Sequence, residues 1–328
     1  MNTRRNSLIY ISSNSGGNGG SVDLSDPNPN YLTIVALEDG LTASLSTNAV
    51  EYSIDGNDNW ITLTAGTASP AINTGQYISF RANLTPTSSG IGTFTISKSC
   101  NLTGNCNSLL FGDDAKTNLS LSGKNYAFYE LFYNCSTIKN VSSNFLPATT
   151  LANYCYEYMF QRCTSLTTAP SLSATRLVDR CYYMMFQGCT NLTNAPALPA
   201  TTLAQSCYYM MFQGTNVLPD CSNINFSSST VVASGGLRGL FGGTKVTDSD
   251  LRNILPINSN GKYYLPCTTL ANECYYDMFY GCKALTTAPE LPAKTLKTYC
   301  YQRMFYNCTS LTTAPQLPAT TVAYGCYL

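Results

Sequence analysis

The sequence predicts an α+β repeat, a solenoid of 26-residue period preceded by a small all-β sandwich-like domain. Met-Phe pairs stand at Met159-Phe160, Met185-Phe186 and Met211-Phe212, and again at Met278-Phe279 and Met304-Phe305, at intervals of 26 within each run. Cysteines keep the same period, at Cys155, Cys181, Cys207, Cys274, Cys300 and Cys326 before the pair and at Cys163, Cys189, Cys282 and Cys308 after it. Self-similarity at a fixed period outranks local propensity as a fold signal. Upstream, short runs alternating Thr and Ser with apolar residues have the period of half-buried strands.

Residues 1–29 are rich in Asn, Ser and Gly, with Gly16, Gly17, Gly19 and Gly20 ahead of Pro27 and Pro29, the composition of a flexible arm. Its only apolar stretch, Leu8-Ile-Tyr-Ile11, is too short for the core of a signal peptide, so nothing in Met1–Gly20 directs secretion. Residues 30–115 carry the β runs Tyr31–Leu37, Val50–Ile54, Trp60–Leu63, Tyr77–Phe80 and Thr93–Ile96. Asp55-Gly56 predicts a hairpin between the second and third of these, with Trp60 on the core side.

Residues 116–328 form the repeat, with an irregular insert at about 215–265, where glycine pairs and Asn258-Ser-Asn-Gly261 mark turns. Degenerate Met-Phe copies at Leu131-Phe132 and Leu240-Phe241 bring the units to seven. Leu151, Cys155, Met159 and Cys163 recur every fourth residue, which predicts one face of a short helix, and Ser165–Pro170 predicts a short strand ended by its proline. On such a helix Tyr182 packs against Phe186, four residues on. A further Met-Phe pair is due soon after Cys326-Tyr327, so the array is expected either to continue or to be covered by another subunit.

The pattern Cys-x-x-Leu-x-x-Ala-Pro, followed by Leu, Cys, Met-Phe and Cys again, resembles the leucine-rich repeats of the Bacteroides and Treponema surface-antigen type, with Met-Phe where that family has Ala-Phe. The resemblance covers about residues 126–328. The copies of Leu-Pro-Ala-Thr-Thr-Leu-Ala at Leu146–Ala152 and Leu198–Ala204 are similar to repeat proteins encoded by phages of gut Bacteroidetes. It implies a leucine-rich-repeat solenoid serving as a virion fibre or a bacterial surface adhesin, and the lack of an export signal favours the virion.

Composition narrows the chemistry. No histidine is present among the 328 residues, which removes the usual general base and the commonest metal ligand. Eighteen basic residues balance eighteen acidic ones, so neither nucleic acid nor an anionic membrane is an expected partner. No stretch is long and apolar enough to insert in a membrane. Paired carboxylates remain formally open to a glycan-cleaving reaction, with Glu273, Asp277 and Glu290 in one region. The cysteines of the period are read as buried thiols, because free Cys behaves as a small hydrophobe and no Cys-x-x-Cys spacing offers a zinc site; Cys100, Cys106, Cys221 and Cys267 lie outside the period.

Tyr183, Tyr209 and Tyr276 are expected as an exposed aromatic column, serving either packing or ligand binding. Thr167, Thr193, Thr286 and Thr312 are expected as an outward hydroxyl ladder that binds sugars or only satisfies a sheet. The expected function is therefore a non-enzymatic phage virion protein, needing no cofactor or metal, that acts as a homo-oligomer on the virion surface. Its N-terminal region would hold other virion proteins and its repeats a host-surface glycan or protein. A bacterial cell-surface adhesin and a purely structural decoration protein are the alternatives.

Overall fold

The computed structural model describes residues 26–193, 195–200, 203–216, 233–265 and 267–327. The predicted arm lies outside these except for 26–29, which are docked: Asp26 accepts from the backbone N–H groups of Asn28 and Gly104, and the Asn28 side-chain amide donates to Ser79.

The N-terminal runs form strands because alternate positions are apolar and meet one core. In chain order they are β1 (Leu32–Ala36), β2 (Ala43–Leu45), β3 (Val50–Ile54), β4 (Ile61–Leu63), β5 (Tyr77–Arg81), β6 (Phe94–Ile96) and β7 (Cys100–Thr103), followed by the one-turn helix α1 (Ser108–Phe111). With β8 (Ile138–Val141) they build one six-stranded mixed sheet in the order β4-β3-β5-β1-β7-β8, and β2 pairs with β6 as a separate two-stranded ribbon. This is not the sandwich of two facing sheets that was expected. The predicted hairpin is present, with Val50 opposite Leu63 and Tyr52 opposite Ile61, and Asp55 and Gly56 at its turn both have positive φ. Trp60 is not a core residue. It is half-buried, with its ring edge-on to Tyr31 at 4.8 Å and beneath the Arg81 guanidinium at 4.3 Å.

The helix-plus-strand solenoid is overturned. Among the described residues after 116 the only α-helix is α2 (Asp248–Ile254), which lies in the insert, and β8 is the only strand. The segments expected as helices are ribbons of overlapping turns. In one unit Cys155, Glu157, Met159, Gln161 and Cys163 each donate their N–H to the carbonyl three residues earlier. The alternate residues Tyr154, Tyr156, Tyr158, Phe160 and Arg162 donate instead to the following unit, at Asp179, Cys181, Tyr183, Met185 and Gln187. Half of the backbone donors thus close turns and half bind one unit to the next, and the ribbon leaves few buried amides without partners.

Three residues per unit, four apart, take positive φ: Tyr154, Tyr158 and Arg162, then Arg180, Met184 and Gly188, and so on through seven units. Among the described residues, every non-glycine residue with positive φ except Asp55 occupies one of these positions. A left-handed residue at the third position of a turn reverses the ribbon once per four residues. The period of four seen in Leu151, Cys155, Met159 and Cys163 is therefore real but arises from turns, and it buries all four as a helix face would. Gly235, Gly239 and Gly243 supply all three left-handed positions of the fifth unit, so the glycines there keep register rather than break it. The true insertion follows that unit and carries α2. The predicted strand Ser165–Pro170 is reduced to a single bridge, Thr168 to Asn140.

Two aromatic files fill the interior. Phe94, Phe132, Phe160, Phe186 and Phe212 stack at centroid distances of 5.5 to 5.8 Å. Phe128, Tyr156, Tyr182 and Tyr208 stack beside them at 5.6 to 5.9 Å. Tyr182 therefore packs on its counterparts one unit away, not on Phe186. Because Phe94 belongs to β6 and β8 joins the sheet parallel to β7, one core runs from the sheet into the repeats.

Cys163, Cys189, Cys282 and Cys308 point their thiols at the carbonyls of Phe132, Phe160, Phe241 and Phe279, at 3.0 to 3.1 Å. Thr215 and Thr244 hold the same place in their units and bond the carbonyls of Phe212 and Phe241. All described cysteines are free and buried, and burial pushes the thiols of Cys155, Cys189, Cys207 and Cys282 up to about 12. Cys221 lies outside the described residues.

Candidate functional site

The turn ribbon turns one set of side chains inward and leaves the neighbouring set on a surface, with at least one group of the row from each of six successive units. Tyr126 stacks on Tyr154 at 4.4 Å with rings 3° from parallel. The Arg180 guanidinium follows, 5.5 Å from the Tyr154 ring and 4.1 Å from that of Tyr183. Tyr183 stacks on Tyr209 at 4.4 Å, and Arg238 then lies between Tyr209 at 4.9 Å and Tyr276 at 3.8 Å. Five tyrosines and two arginines thus form one half-buried row. A guanidinium is weakly hydrated and planar, so it fills a gap in a ring stack that an ammonium would not.

Each arginine of this face is anchored by an acid from an adjacent unit. Glu157 holds Arg180 at 2.5 Å, Glu273 holds Arg238, and Asp277 holds Arg303 at 3.2 Å. Glu157 and Asp277 are only 2% and 5% exposed. Burial raises the Glu157 carboxyl to about 7 against the opposing pull of Arg180, and burial likewise raises Asp277 against Arg303 and Arg238. Beside the row runs an amide ladder, in which Gln161 donates to Gln187 and Gln187 to Gln213.

The predicted column is brought together only in part. Tyr183 and Tyr209 touch, Arg238 separates Tyr209 from Tyr276, and all three are half-buried rather than fully exposed. The threonines do not form a free hydroxyl ladder. Thr167 bonds the Lys139 carbonyl and the Asn140 side chain, and Thr193 bonds the Thr167 carbonyl. Thr286 gives both its N–H and its hydroxyl to Asp248, the first residue of α2, next to the capping Thr247. Asp248 thereby replaces the edge that the preceding unit provides to Thr193. Thr312 is exposed. Each of the three acids has its own partner: Glu290 is bonded by Asn258 and Lys262, Glu273 by Arg238 and Asp277 by Arg303.

Tyr126, Tyr154, Arg180, Arg238 and Glu157 escape a search of the sequence by period. Tyr154 and Arg180 occupy the same place in successive units yet differ in type, so identity at 26-residue spacing does not reveal them. A usable signal is an arginine or glutamate inside an otherwise apolar segment.

Among the described residues no group of three or more His, Cys, Asp or Glu is placed to hold a metal ion, and no helix is long and apolar enough to cross a membrane. No protein family, curated protein or solved structure matches the chain.

Proposed function

We propose that this chain is a non-enzymatic recognition protein carried on the outside of a phage particle, as a fibre or similar appendage, and that the Tyr–Arg row is the surface it offers to a host-surface glycan. The observation that supports the reading is the row itself. Rings and guanidiniums recur from unit to unit along one face, seven groups over six units, so a ligand with its own repeat engages several of them at once. Tyr gives broad amphipathic contact for little lost side-chain freedom, which is why it dominates adaptable binding surfaces. Weak contacts at each rung then combine, within one chain and between copies on a particle. The row is the part of the site that rests on side chains; the attachment role of the N-terminal region rests on its composition.

The test pairs location with binding. Antibody against the full chain is expected to label purified particles, and the purified chain to bind host cells saturably. Tyr209→Ala with Tyr276→Ala is expected to weaken that binding about tenfold or more while the protein stays folded. Labelling of particles with no cell binding by the intact chain would make this a decoration protein, and labelling of the bacterial envelope alone would remove the virion from the reading.

A further inference from the structure

Arg180 and Glu157 form the most enclosed ion pair of the row. The carboxylate is buried, its Oε1 takes one bond from Arg180 Nη2 at 2.5 Å, and its Oε2 has no hydrogen-bond partner. Arg180 keeps about a third of its side chain open, at 36% exposure, while its Nε is buried and also lacks a partner. The guanidinium carbon lies over the Tyr183 ring at 4.1 Å and over the Tyr154 ring at 5.5 Å. Five donors in a fixed fork suit a bidentate oxyanion, and Glu157 engages the fork through a single oxygen. A buried carboxylate with an idle oxygen is poorly compensated for its lost hydration. It is the kind of partner that an outside anion displaces.

We infer that Arg180 is the receptor for an anionic group of the ligand, a carboxylate or a sulfate, and that Glu157 is the internal stand-in that this group replaces. The inference rests on reading the row as a recognition surface and adds the charge of what is recognised. The other groups around Glu157 do not substitute for Arg180: Glu130 is a second acid, and Tyr126, Tyr129, Tyr158 and Tyr183 are neutral. Once its cation is taken, Glu157 is left buried beside Glu130 and takes a proton from solvent. One proton is therefore taken up for each anion bound, and affinity rises as pH falls. The pair at Arg238 differs, since its acid, Glu273, is more than a third exposed and water eases the exchange of partners there, whereas Asp277 beside Arg303 is nearly as buried as Glu157.

The test uses the full chain with labelled arginine side chains, titrated with glucuronate, with sulfate and with glucose. Glucuronate and sulfate are expected to move the Arg180 guanidinium signals and glucose to leave them in place. Affinity should fall by about tenfold per pH unit as pH rises above about 7, the slope of one linked proton. Glu157→Gln should bind at about pH 8 as the unaltered chain does in mild acid, without pH dependence. Arg180 signals indifferent to both anions, in the unaltered chain and in the variant, would overturn the inference, as would a pH dependence that survives Glu157→Gln. Silent Arg180 signals with host binding still lost in the Tyr209 and Tyr276 variants would leave the row as a receptor for neutral glycan. Anions held at Arg180 with host binding untouched by those variants would uphold the site and remove the host-facing role.

Discussion

Arg238 places its guanidinium 3.8 Å from the ring centroid of Tyr276 and 4.9 Å from that of Tyr209, and so joins the units on either side of the α2 insertion. Its carboxylate partner, Glu273, comes from the far side of the same insertion. Arg238 stands three residues after the first left-handed position of its unit, the place that Tyr209 and Tyr276 hold in theirs, so it carries the row across this unit. Arg238→Lys keeps the charge and removes the planar filling. It is expected to cost about 1–2 kcal/mol in urea unfolding, in line with a partly desolvated cation between rings. A loss below about 0.3 kcal/mol would show that the sandwich adds nothing beyond the charge.

The left-handed positions give a prediction of opposite sign. Arg162 has φ of 60° on an exposed face, whereas its counterparts Gly188, Gly214, Gly243 and Gly281 are glycine. An L-residue pays about 1–2 kcal/mol to sit there, and glycine pays little. Arg162→Gly is expected to raise the unfolding free energy by about 0.5–1 kcal/mol, although glycine lowers stability at most sites. Asn307→Val, at φ of 61°, should do the reverse by about 1–2 kcal/mol or more. Equal effects of the two substitutions would mean that the ribbon does not hold its left-handed turns in solution.

How much of this was legible in the sequence follows from what a period encodes. The intervals of 26 located the units, and the apolar identity of Cys155, Met159, Phe160 and Leu166 located the core, because all four are fully buried. The backbone was misread. Spacing of four residues is close to the 3.6 of a helix, and only the left-handed turns at Tyr154, Tyr158 and Arg162 distinguish the ribbon. Those turns fall on tyrosine and arginine, which do not advertise positive φ, and on glycine only in later units. Tyr183 and Tyr209 were legible as a pair, but the arginines that complete the row were not. Arg180 reaches Glu157, 23 positions away, across a unit boundary, and no local pattern records that contact.

The thiols that face phenylalanine carbonyls make a third test. Cys189 points at the Phe160 carbonyl of the preceding unit at 3.1 Å, and Thr215, in the same place one unit on, gives its hydroxyl instead to the carbonyl of its own unit's Phe212. Cys189→Thr is therefore expected to change stability by less than about 1 kcal/mol. Cys189→Val, nearly the same in shape, removes the donor and should cost about 0.5–1.5 kcal/mol, the worth of one bond to a carbonyl that keeps its backbone partner, the Cys163 N–H. Thermal unfolding of the two variants side by side decides it. If valine is as good as threonine, the column is selected for volume alone.

Glu157 makes stability itself depend on pH. Its carboxyl is raised from 4.5 to about 7 in the folded chain, first by burial, with Arg180 pulling the other way. Between those two values the native state holds a proton that the unfolded chain has released, so protonation favours folding. The contribution is fully present below about 4.5 and is lost as pH rises through about 7. Asp26 and Asp277 are raised as well, and Asp39, Asp113 and Asp248 are lowered, but these groups are common to the unaltered chain and to Glu157→Gln. The difference between the two proteins isolates Glu157. The urea midpoint of the unaltered chain should fall relative to that of Glu157→Gln between about pH 5 and about pH 8. A flat difference over that interval, with a relative rise confined to below about pH 4.5, would place the Glu157 carboxyl below its free value, with Arg180 rather than burial in control.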